Sequence, residues 1–104
     1  MLGNIKGIKA FTFGGNKTWS AANAGTASVQ TVSVPGLRTG DLVLISKRAN
    51  QTGLAVESLA KAFSDDTLSV KFINPTAGNI TPTANEVWTG IIFTSEPPSN
   101  SPLI

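Results

Sequence analysis

The side chains that most often do chemistry near neutral pH are missing: the chain has no histidine and no cysteine. That removes the usual general base, the commonest metal ligand and any thiolate nucleophile. A few carboxylates and cations remain. Asp65 and Asp66 are adjacent and, with Asp41 or Glu86, could offer the clustered oxygens that a calcium ion needs. The plainer account is a turn, because short acidic side chains hydrogen-bond the backbone beside them. Glu57 and Glu86 could be imagined as a glycosidase pair, yet two lone carboxylates in so small a chain are a thin basis for it. Gly14-Gly15 lacks the strand–helix setting of a phosphate loop. No catalytic residue, cofactor or metal site is expected.

The cations and aromatics point toward contact rather than catalysis. Lys47 and Arg48 are the only adjacent cations, and with Arg38 they could form a basic patch. The aromatic interleaving of a single-strand binder is missing around them, so a solvated loop or contact with an acidic protein partner is favoured over nucleic acid. Trp19 and Trp88 could stack on a sugar, but core or subunit-interface packing is the commoner use of tryptophan. Net charge is +2 with 13% charged residues, so the pI near 9.3 reflects two excess charges and not a nucleic-acid-binding composition. No apolar stretch approaches the roughly 20 residues of a membrane span. The opening MLGNIKG lacks a signal peptide's apolar core, so a soluble chain made in the cytoplasm is expected.

The elements that must position these residues read as strands. Residues 53–76 form the centre, with two apolar-rich runs, 54–63 and 68–73, either side of Ser64-Asp65-Asp66-Thr67. In the second run Leu68, Val70 and Phe72 alternate with Ser69 and Lys71, the period of two of a half-buried strand, and Asn74-Pro75-Thr76 stops it. The first run admits two readings. Val56, Leu59, Ala60 and Phe63 also fit helical spacing, and Glu57 precedes Lys61 by four. Its brevity and its short link to a clear strand favour a strand, with Leu54, Val56, Ser58, Ala60 and Ala62 on one face.

Further strands are expected at 5–13, with Phe11 and Phe13 on a buried face, and at 26–34, rich in β-branched residues. Pro35, Gly36 and Gly40 mark a turn. Leu42–Ser46 is almost wholly apolar, as for a strand buried on both faces. Ile80 suggests a brief edge segment, and 86–94 is the last strand, with Trp88 and Ile92 opposite the face of Val87, Thr89, Ile91 and Phe93. The expected fold is one all-β domain over residues 1–104, an antiparallel β-sandwich or jelly-roll-like arrangement of six to eight strands. Residues 1–6 and the proline-rich 95–104 are read as extended arms.

The run VSVPGLRTGDLVLISKRANQTGLAVESLAKAFSDDTLSVKFINPTAGNITPT, about half the chain, carries a resemblance. A strand ending Val-x-Val, a Pro/Gly turn closing in Thr39-Gly40-Asp41, the apolar strand, Gly53-Leu54-Ala55-Val56, the hairpin and Ile80-Thr81-Pro82 together resemble small β-sandwich domains of tailed-bacteriophage virions. Such domains occur in capsid decoration (cement) proteins and in fibre or tail appendages. The resemblance implies a non-enzymatic structural part, usually a homotrimer, on the capsid surface and bound to the major capsid protein. A receptor- or glycan-binding module of a head or tail fibre is the alternative it leaves open. On the decoration reading, Lys47, Arg48 and both arms, including Pro97, Pro98, Leu103 and Ile104, are the expected partner contacts. Trp19 and Trp88 are expected in the trimer interface or the core.

Overall fold

The computed structural model describes residues 5–95. Its regular structure consists of seven strands: β1 (Ile5–Phe13), β2 (Thr26–Ser33), β3 (Leu42–Ser46), β4 (Ala55–Val56), β5 (Leu59–Ser64), β6 (Thr67–Asn74) and β7 (Trp88–Ser95). All pairings are antiparallel and belong to one sheet, ordered β1-β7-β3-β5-β6-β2, with β4 also paired to β6. The architecture is all-β and sandwich-like, as the strand patterning predicts. Among the described residues there is no helix, hence none long and apolar enough to cross a membrane.

The central hairpin forms where the alternation places it. Leu68, Val70 and Phe72 are fully buried on β6, while Lys71 faces out. Asp66 takes a left-handed conformation (φ 59°) in the turn, which Asp tolerates better than most residues. The ambiguous first run is strand, broken at Glu57-Ser58 into β4 and β5. Both lie along the edge of β6 opposite β2, Ala55 facing Ile73 and Lys61 facing Ser69. Its inward face carries Ala60 and Ala62, and Leu59 and Phe63 point outward.

Asn74, read from sequence as part of a strand stop, is a buried joint. Its amide nitrogen donates to the carbonyls of Ala22 and Gly78 at 2.8 Å each, and its oxygen accepts from the Thr76 backbone N–H at 3.0 Å and from the Thr76 hydroxyl. A buried amide is tolerated only when satisfied in this way. Nearby, Ile80 makes an isolated bridge to Ala22 instead of a strand.

The expectation for β3 needs correction. Only Val43 and Ile45 are buried; Leu42 and Leu44 are exposed, because nothing among the described residues covers the outer face of the strand. Residues 5–6 belong to β1 and residue 95 to β7, with Ile5 paired to Ser95, and the rest of both expected arms lies outside the described residues.

The core exists because the sheet curls over on itself. β7 and β6 are separated by β3 and β5, roughly 14 Å of flat sheet at the usual strand spacing. Yet the rings of Trp88 on β7 and Phe72 on β6 meet edge-on with centroids 5.8 Å apart. Trp19, from the loop between β1 and β2, fills the space between them at 5.0 Å from Phe72 and 5.5 Å from Trp88. Phe13 adds a third ring against Trp88 at 5.7 Å. On the same inner face, Phe11 lies across Gly90, where an added Cβ would sit 2.5 Å from the ring. Trp88→Ala should therefore destabilise the fold by about 3–5 kcal/mol, read as a lower midpoint in urea unfolding.

Candidate functional site

Three of the residues singled out from sequence turn inward. Trp19 and Trp88 are core residues, 2% and 0% exposed, which resolves the interface-or-core alternative and leaves neither ring available to a sugar or a partner. Their indole nitrogens are buried without an acceptor among the described residues, a cost of order 1–3 kcal/mol each that the ring packing offsets.

Lys47 is the third. Its ammonium lies 2.7 Å from Glu86 Oε1, with the side chains only 10% and 6% exposed. The same ammonium donates to the Ala49 carbonyl at 2.7 Å. Glu86 Oε2 in turn accepts from the Ala49 backbone N–H at 2.7 Å. The pair thus clamps the loop leaving β3 onto the residues that enter β7. Lys47 is a structural cation and not a surface contact; burial beside a carboxylate satisfies it internally. Arg48 and Arg38 remain exposed. Pro97, Pro98, Leu103 and Ile104 lie outside the described residues.

The carboxylates do not converge. Among the described residues no group of three or more potential ligands could hold a metal ion. Asp65 and Asp66 serve the turn. Asp65 Oδ1 accepts from the backbone N–H and the hydroxyl of Thr39, both at 2.9 Å, and Asp66 Oδ1 accepts from the Gly36 N–H at 2.7 Å. The β5–β6 turn thereby holds down the loop between β2 and β3. The Thr39 backbone bond, then its hydroxyl, hold the Asp65 carboxyl below its ordinary value of 3.8, with Arg38 adding to the effect. Glu57 stands on the outer surface, 3.9 Å from Lys71, away from the buried Glu86.

The surface that does converge was not read from sequence as a site. Strand register places apolar side chains side by side across the outer face of four consecutive strands. Ile8 on β1 is opposite Phe93 on β7, and Leu44 on β3 is opposite both Ile91 on β7 and Leu59 on β5. Leu42 lies two residues before Leu44 on the same face and is opposite Lys61. Ile8 is 66% exposed, Leu44 40%, Leu59 50% and Phe63, beyond Lys61 on β5, 69%. From Ile8 to Leu59 this belt carries no charge. Among the described side chains its charged groups are at the β5–β6 end, where Lys61 lies over the Phe63 ring at 5.6 Å and Glu57 meets Lys71. The signal was present in the unbroken apolar run Leu42–Ser46, which requires cover on both faces.

Glu86→Ala should cost about 3–5 kcal/mol by leaving the Lys47 ammonium buried without its counter-charge, and adding Lys47→Met should recover most of the loss in a double-mutant unfolding series. Because Asp65 titrates lower folded than unfolded, its contribution is present above its unfolded value and lost as pH falls through its folded value. Asp65→Asn should flatten the acid limb of the stability–pH curve, measured as the urea midpoint from pH 6 down to pH 2.

In comparisons with known proteins, no protein-family model matches the chain, and neither a curated protein nor a solved structure matches it significantly.

Proposed function

We propose that this chain is a non-enzymatic structural protein of a virion, a decoration protein that binds and stabilises the major capsid protein lattice of a tailed bacteriophage. The observation that carries the reading is the apolar belt on the outer face of β1, β7, β3 and β5, uncharged from Ile8 to Leu59, a surface made for lasting contact within an assembly. The resemblance of residues 32–83 to small virion β-sandwich domains supplies the setting. The rigid aromatic core and the clamped loops suit a part that must keep its shape under load.

In mechanism, the protein works as a homotrimer over local three-fold positions and bridges adjoining capsid subunits against the pressure of packaged DNA. Each contact can be weak, because several made at once raise the effective affinity steeply. Exposed Arg48 and the two terminal segments are the contacts toward the capsid protein. The glycan-binding alternative loses its main support, since both tryptophans are in the core.

The test is the copy number of this chain in purified particles from its source, by quantitative mass spectrometry against the major capsid protein. A number comparable to that of the capsid protein is expected. A handful of copies would move the chain to a fibre or tail, and absence from the particle would overturn the reading.

A further inference from the structure

We infer that the apolar belt is the surface through which copies of this chain bind one another, and that the partner covering it is a second copy, not the capsid protein. The inference deepens the assembly proposed above and rests on it only for the claim that copies associate. The composition of the belt favours this occupant. Interfaces between copies of one chain are more apolar and poorer in charge at their centre than contacts between separately folded partners. From Ile8 through Leu44 to Leu59 the belt has that character.

Its size and rim agree. The exposed parts of Ile8, Leu42, Leu44, Leu59 and Phe63 amount to on the order of 500 Å² of apolar surface, most of the roughly 800 Å² each partner contributes to a stable interface. The rim carries both signs close together, Glu57 beside Lys71 with Lys61 nearby. Around a three-fold axis the rim of one copy meets the rims of its neighbours, and a rim of both signs can face opposite charges there. A second copy over β3 would also give Leu42 and Leu44 the cover that an all-apolar strand requires.

The test is the solution mass of the intact chain by sedimentation equilibrium, for wild type, Leu44→Lys, Leu59→Lys and Ile73→Lys. Ile73 is exposed and apolar but lies off the belt on β6, so its variant is the control. Wild type and the control should show a multiple of 10.8 kDa, and both belt variants should fall to the monomer while keeping the β-sheet circular-dichroism signal. Should a lysine variant fail to fold, Leu59→Cys supplies a second measurement, because the chain has no cysteine of its own. Oxidation should link Leu59→Cys chains into dimers far faster than Ile73→Cys chains.

An oligomer that survives both lysine substitutions, or equal linking at the two cysteines, would overturn the belt as the interface and leave the proposed function standing. A wild-type chain that stays monomeric would overturn the inference, with the particle copy number deciding the function separately. Loss of particle binding by a monomeric Leu44→Lys, from a wild type that is also monomeric, would give the belt to the capsid protein instead.

Discussion

A single antiparallel sheet can bury one of its faces only by folding that face against itself, and in this chain the fold-over is held at Trp88. The ring touches Phe13 from β1, Trp19 from a loop and Phe72 from β6, so one side chain ties β1, at one end of the sheet, to β6, the strand next to the other end. The neighbouring sequence is arranged around it. Gly14, in a left-handed turn, brings the end of β1 so close that an added Cβ would be 3.3 Å from the indole. Two residues before Trp88, Glu86 pins the loop from β3 through Lys47 and Ala49. Curl, core and loop positions are therefore one constraint.

Much of this was legible in the sequence where the signal is local. The alternation of Leu68, Val70 and Phe72 marked β6 and its buried face, and Ser64-Asp65-Asp66-Thr67 marked the turn. What was not legible depends on partners distant in the chain. Trp19 sits among polar neighbours and nothing near it in sequence announces burial; Phe72 and Trp88, far along the chain, create its site. Lys47 reads as half of a basic pair until Glu86 is brought beside it. Asn74 reads as punctuation until Ala22 and Gly78 supply acceptors.

The misreading of β3 is the most informative for function. Its residues ask for burial on both sides, and the described residues supply only one. The same excess runs outward into Ile8, Ile91, Phe93 and Leu59, residues that a lone soluble domain would gain by making polar. The inward face of the sheet explains the fold, and the outward face presents the apolar surface on which the proposed function rests.

The order of the strands has a further consequence, in time rather than in space. β7 lies between β1 and β3, so the latest strand must enter between two of the earliest. Trp88, the centre of the core, arrives with it. During synthesis β1 therefore has no partner strand, and β3 only β5, until Trp88–Ser95 has been made, and pairings so distant in sequence form slowly. For that interval strand edges and apolar side chains on both faces stand open to other nascent chains. A protein of this topology is most vulnerable while it is being made at high concentration, and its yield depends on how quickly the last strand finds its slot.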